Sequence, residues 1–210
     1  MVKYRIIVVG CGAMGGAIAE ALQARTSHSV LVRGASAASK SAASLAARLK
    51  LGIAEHDDIS RADIVFVATP REAIPALARL LKGYHGIIVS VVVDDYRGGG
   101  QTSSAEQLAE SVPSARVACA FTTVSDAVVL DPGNQLRTSV FVFSDHQPAK
   151  VTVRNLAEEL GFGSVNGGCL ASSLYGEAVG TLVALLAANS GYGNTISLHL
   201  FRAEKRIAID

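Results

Sequence analysis

Tryptophan is absent from this chain, and Phe and Tyr together supply only 5% of its residues. A core without large rings has to be filled by aliphatic side chains, and with half of the 210 residues hydrophobic there are enough of them. That composition suits buried parallel strands covered by closely packed, alanine-rich helices. Cysteine is scarce as well. Cys11, Cys119 and Cys169 are far apart, odd in number and in no metal-ligand spacing, so a disulfide framework and a metal site are not expected and a reducing cytoplasm is. Neither sign of charge is in excess, with 19 Lys and Arg against 18 Asp and Glu, and no basic cluster stands out. A small-molecule partner is therefore expected rather than nucleic acid or an anionic membrane. No apolar run free of strand or turn punctuation is long enough for a membrane span, Val179 to Ala188 being too short. The N-terminus enters a strand directly rather than through a separate apolar segment with a cleavage site, so a secreted fate is not expected.

The most informative stretch runs from Lys3 to Ala21. Gly10, Gly12 and Gly15 form G-x-G-x-x-G directly after the apolar run Ile6 to Val9 and directly before a helix-forming run. In that context the motif is expected to bind a dinucleotide, the alternative being a glycine-rich strand-to-helix turn that binds nothing: Gly10 permits the turn, Gly12 admits a pyrophosphate to the backbone, and Gly15 lets the helix pack on the sheet. The unpaired N–H groups and positive end of the helix then take the place of a basic side chain. Cys11, Ala13 and Met14 lie within the same turn and are expected beside the cofactor. Ser29 to Val32 reads as the second strand, and its end bears on the choice of cofactor. An NAD site places an acid about 20 residues beyond the glycines. Here the chain has Arg33 and Ser36, with Ser39 and Lys40 close by and no acid. A cation and hydroxyls suit a 2′-phosphate, so NADP(H) is expected, with Arg33, Ser36 and Lys40 as contacts; a solvated strand-end charge is the alternative for Arg33.

Strand and helix patterns then alternate. A helix is expected over Ser36 to Leu49, a short strand at Gly52 to Glu55, and strands at Ala62 to Ala68, Gly86 to Val93, Arg116 to Phe121 and Ser139 to Phe143. Helices are expected over Glu72 to Leu81, from a Ser103–Glu106 capping box to Ser111, and over Pro148 to Leu160. This order makes a doubly wound parallel sheet the expected architecture. Thr69, Pro70, Ser90 and Thr122 fall at carboxyl ends of strands, where ligands of such sheets sit. Pro70 is equally ordinary as a helix start. The loop Asp94 to Ser104, with three consecutive glycines, reads either as a lid or as plain surface. Gly161 to Cys169 is turn-rich, and Leu170 to Asn189 forms a helix apolar almost all round, expected to be buried and to pack at a subunit interface. The five histidines are expected at the surface. Glu177, on that apolar helix, needs a partner: a cap or an interface hydrogen bond is favoured over catalysis. The chain divides into a nucleotide-binding domain, 1–145, and a small C-terminal portion, 146–210.

The segments GCGAMGGAIAEAL, DIVFVATP, SSAEQLAESVPSARVACAFTTV and GFGSVNGGCLASSLYGEAV resemble the NADPH-dependent coenzyme F420 reductase-like family, over nearly the whole chain. The resemblance implies an α/β Rossmann dinucleotide-binding fold with a small C-terminal helical portion and a homodimer. It also implies hydride transfer between NADPH and a deazaflavin (coenzyme F420), a flavin or a related acceptor. By position it implies Gly12, Ala13 and Met14 at the pyrophosphate and Arg33, Ser36 and Lys40 at the adenosine phosphate. Thr69, Pro70 and Ser90 would border the nicotinamide side. Many members have Asn in A-F-N-T where this chain has Thr122, a single hydroxyl in place of an amide, which leaves the acceptor open. The N-terminal piece alone also resembles pyrroline-5-carboxylate reductases, whose C-terminal helical signature is missing here. No side chain is forced into a catalytic role. An imine reductase and a non-catalytic NADP-binding or redox-sensing module are the alternatives.

Overall fold

The computed structural model describes residues 2–34, 39–93, 102–133 and 138–201. In chain order these form β1 (Arg5–Val9), α1 (Ala13–Arg25), β2 (Ser29–Arg33), α2 (Lys40–Leu49), β3 (Gly52–Ile53), α3 (His56–Arg61) and β4 (Ile64–Val67). A 3-10 turn (Arg71–Ala73) leads into α4 (Ile74–Leu80), followed by β5 (Ile87–Ser90), α5 (Ser104–Ser111), β6 (Arg116–Cys119) and α6 (Asp126–Leu130). The chain continues through β7 (Ser139–Phe143), α7 (Gln147–Glu159), β8 (Gly163–Gly168) and α8 (Ser173–Asn189).

All eight strands lie in one sheet, in the order β3-β2-β1-β4-β5-β6-β7-β8. From β3 to β6 every pairing is parallel. β7 meets β6 antiparallel through the pair Cys119–Phe143, and β8 runs parallel to β7. This is the doubly wound Rossmann-like architecture expected, mostly rather than wholly parallel. Successive strand residues feed opposite faces. Ile6, Val8 and Phe66 pack with Leu22 of α1, Leu45 of α2 and Leu156 of α7. Ile7, Val9 and Val65 pack with Ile59 of α3, Leu77 of α4 and Leu108 of α5. With helices on both faces the strands can be apolar throughout, as β4 is. The order of connection reverses between β1 and β4, the switch point where such sheets open a crevice.

The short helices α3 and α6 form where no helix is expected, and three further features differ from the sequence reading. Gly163 to Gly168, expected to be turn, is the edge strand β8, because pairing with β7 uses only backbone groups. Its glycines also make room: a Cβ on Gly167 would stand 2.4 Å from the Phe143 ring. α8 is not buried all round. Gly176, Glu177, Gly180 and Val183 face the body, while Tyr175, Leu182 and Leu185 are 72%, 54% and 53% exposed. Leu170–Asn189 is, by length and composition alone, long and apolar enough to cross a membrane, which no run was expected to be; 33% of its most apolar window is buried against the body. Finally, His28 is not at the surface. Its side chain is almost fully covered, Nδ1 accepts from the Tyr4 N–H at 3.3 Å, and Nε2 lies 3.1 Å from the Glu159 carboxylate.

Candidate functional site

The glycine turn sits at the switch point, between the carboxyl ends of β1 and β4. Gly10 has φ +102°, a left-handed conformation, and a Cβ there would stand 2.2 Å from the Ala68 carbonyl oxygen. Its N–H donates to the Arg33 carbonyl at 2.9 Å, tying the turn to the end of β2. Gly15 is fixed by approach rather than conformation, since its Cβ would come within 1.8 Å of the Gly10 carbonyl oxygen. Gly12 is the contrast: nothing stands within 4 Å of where its Cβ would be. The packed glycines shape the turn, and the open one leaves space in front of it. Gly12 also begins α1 without a side-chain cap, so the first-turn N–H groups are left for an anion. These features fit the pyrophosphate of a dinucleotide.

Hollows lie on both sides of this turn. One, about 300 Å³, is bordered by Cys11, Gly12 and Ala13 and by Ser41, Ser44 and Arg48 of α2. Ser39 caps α2, its hydroxyl accepting from the Ala42 N–H at 3.3 Å, and Lys40 opens the helix, exposed. Arg33, half-buried at the end of β2, donates to the Ala54 carbonyl at 2.6 Å, so it is held against the sheet edge rather than freely solvated. Ser36 and most of the loop Asp94 to Ser104 lie outside the described residues. Cys11 donates to the Arg33 carbonyl at 3.5 Å; burial pushes its thiol pKa up.

The second hollow, about 290 Å³, runs from Ala13 and Met14 to the corner after β6 and is walled by α8. Phe121 makes that corner with φ 61°, a costly conformation for a side chain of its kind. Rings on both sides hold it, Phe66 with centroids 6.2 Å away and Phe162 at 5.8 Å, edge-on. The chain then presents Thr122, Val124, Ser125 and Asp126 to the cleft. Opposite, α8 comes close because it carries glycine where it touches the corner. A Cβ on Gly180 would stand 2.2 Å from the Thr122 carbonyl oxygen, and one on Gly176 would stand 3.3 Å from the Thr122 hydroxyl. The Thr122 hydroxyl is thus turned beneath α8 and covered.

Of the residues expected at the cofactor, the cleft brings together Ala13, Met14 and Thr122. Thr69 and Ser90 stand at the same strand ends, 6% and 0% exposed, with buried hydroxyls that have no partner among the described residues. Thr69 packs its methyl group against the glycine turn, and Pro70 is exposed beside it. Glu177 does what its burial demanded: its carboxylate accepts the N–H groups of Ser104 (3.1 Å) and Ala105 (3.3 Å), capping α5 from α8. Burial raises its pKa, and those two hydrogen bonds oppose the rise. Burial and then the neighbouring Glu177 charge push the Cys119 thiol up as well.

Sequence reasoning missed Asp126, Ser41, Ser44 and the small-residue face of α8. Only the last left a signal, in the run of Gly176, Gly180, Ala184 and Ala187 at helical spacing.

The fold, the switch-point glycine turn and the two flanking hollows define a dinucleotide-binding protein of the Rossmann type. Residues 5–94 match the family model described as NADP oxidoreductase, coenzyme F420-dependent. Similar solved structures include a "putative F420-dependent NADP-reductase" of Arthrobacter sp. FB24, 24% identical with TM-score 0.79, over 95% of this chain and 100% of that one. The hypothetical protein SMa0349 of Sinorhizobium meliloti is 27% identical with TM-score 0.70, over 82% and 88%. A reductive aminase of Aspergillus terreus, in complex with NADPH and ethyl levulinate, is 17% identical with TM-score 0.64, over 90% of this chain and 63% of that one. No curated protein matches the chain.

Proposed function

We propose that the protein transfers hydride between NADPH and an organic acceptor seated in the cleft between the glycine turn, the Thr122 corner and α8. The observation that carries this reading is the continuity of the cleft with Ala13 and Met14, which joins the proposed cofactor site to a mostly apolar chamber. NADPH supplies the hydride when bound. The backbone at Gly12 and the first turn of α1 hold the pyrophosphate, Arg33, Ser36 and Lys40 select the 2′-phosphate, and Cys11, Thr69, Pro70, Ser90 and Thr122 back the remaining length of the cofactor. Residues 1–145 carry these groups, while 146–210 contribute α8 as the outer wall. Small apolar side chains there exclude water and leave orientation, rather than a general base, to bring the reacting carbons together. The exposed stripe of Tyr175, Leu182 and Leu185 supports a homodimer.

Two acceptor classes compete. The family model supports coenzyme F420, with a flavin as the related ring acceptor. The likeness to a reductive aminase, together with an acid in the cleft wall, favours a carbon–nitrogen double bond instead. NADPH oxidation by the purified protein, followed at the nicotinamide absorption band, tests the reading against coenzyme F420, FMN, FAD, ferric chelate and cyclic imines. Turnover on any organic acceptor is the expected result. Tight NADPH binding with no turnover across the panel would overturn it in favour of a cofactor-sensing module.

A further inference from the structure

We infer that the acceptor is a small cationic carbon–nitrogen compound, a protonated imine, and that Asp126 is the residue that pairs with it; this rests on the NADPH-reductase reading above. At about 290 Å³ the cleft is near the lower limit of ordinary small-molecule sites. Met14, Val124, Val183 and Ala187 give it a mostly apolar wall, in which Thr122, Ser125 and Asn194 are uncharged polar members. Among the described residues that line it Asp126 is the only ionisable one. Asp126 is half-buried, and its carboxylate makes no hydrogen bond or ion pair with any described residue. It is also held in place. The Ser125 hydroxyl accepts from the Val128 N–H at 3.3 Å, capping α6, and donates to the Asn194 carbonyl, which fastens the start of α6 to the turn after α8.

An unpartnered carboxylate in a mostly apolar wall draws a cation and repels an anion. Coenzyme F420, FMN and FAD all carry phosphate, and no described cation lines the cleft to offset that repulsion. A protonated imine is a cation and a hydride acceptor at once. Its carbon takes the hydride from NADPH, its C=N π pair becomes the nitrogen lone pair, and the products are an amine and NADP⁺. Asp126, accepting the iminium N–H, keeps the nitrogen in its protonated, electrophilic form.

The test uses the full chain and compares 2-methyl-1-pyrroline, pyrroline-5-carboxylate, which adds a carboxylate to the same ring, FMN and coenzyme F420. The expected order has 2-methyl-1-pyrroline first in kcat/KM. Asp126→Asn lowers that value about 30-fold, the loss of one charge-assisted hydrogen bond, with the Kd for NADPH unchanged, and Asp126→Glu recovers part of it. A readout independent of turnover is the binding of the product amine, 2-methylpyrrolidine, to the NADP⁺ complex, which weakens by a similar factor in Asp126→Asn. Higher kcat/KM on FMN or coenzyme F420, an Asp126→Asn variant equal to the parent on the imine, or NADPH binding without imine turnover would each overturn the inference and leave the cofactor site standing. Failure to bind NADPH would overturn the reductase reading, and this inference with it.

Discussion

The glycine turn and the Thr122 corner face each other across the cleft, and the chain specifies them in opposite ways. The turn is written in six consecutive residues, and its partners are backbone atoms of neighbouring strands, such as the Arg33 carbonyl that accepts from Gly10. The corner depends on parts that are remote in sequence. Phe121 holds its left-handed backbone only between Phe66 and Phe162, and α8 arrives from far down the chain to touch Thr122 at Gly176 and Gly180. A contiguous motif therefore sets the proposed cofactor site, while tertiary packing sets the shape of the chamber proposed for the acceptor.

Substitutions should separate the two regions. Phe121→Ala has the largest expected effect: loss of a fully buried ring costs about 3–5 kcal/mol of stability, read as a large fall in Tm, and the corner collapses with it. Relief of the backbone strain returns only a fraction of that loss. Gly12→Ala is the reverse case. Its φ of −77° suits alanine and its Cβ would meet nothing within 4 Å, so stability should hold to within about 0.5 kcal/mol. The methyl group would nevertheless enter the pyrophosphate's space, and NADPH affinity in a titration should fall about 100-fold, which corresponds to about 2.7 kcal/mol. Equal losses of stability and affinity in that variant would erase the distinction between the two regions.

Gly180→Ala sharpens the comparison from the other side. Its Cβ would stand 2.2 Å from the Thr122 carbonyl oxygen, so α8 has to shift, at about 1–3 kcal/mol. The KM for the acceptor should change while the Kd for NADPH does not. The smallest effect is expected from Glu177→Gln. Burial raises the Glu177 pKa above its ordinary 4.5, so the folded state binds that proton more tightly than the unfolded chain. The contribution is therefore present in full below pH 4.5 and is lost as pH rises through the raised value. Chemical denaturation across that window should show a shallower pH slope in the glutamine variant than in the parent. An unchanged slope would mean that the two N–H groups of α5 compensate the burial fully.

How much could be read from the sequence follows the same division. Most strand, glycine and helix units among the described residues up to 93 were legible because their cues are local, namely apolar runs, a turn motif and punctuation at strand ends, whereas α3, expected as an acidic turn, was not. The Ser103–Glu106 capping box was legible for the same reason, and both of its hydrogen bonds form. β8 was not, because Gly163 to Gly168 has only one apolar side chain and becomes a strand through the edge that β7 offers. In sequence His28 looks like a surface group, because nothing in its neighbourhood announces Glu159, its partner from the end of α7. The composition of α8 was plain, but which stripe faces the body is decided by the corner it packs on. Asp126 carried no sequence signal at all, since its place in the cleft wall comes from a five-residue helix whose start is fixed by Ser125 and Asn194.

In the proposed function NADP(H) lies across the glycine turn, and Arg33 at the end of β2 chooses the phosphorylated cofactor. The most direct test of that proposal is a side-by-side titration of the full chain with NADPH and NADH. NADPH should bind at least about tenfold more tightly, the smallest margin expected of a guanidinium–phosphate contact. Equal affinities, or tighter binding of NADH, would contradict it.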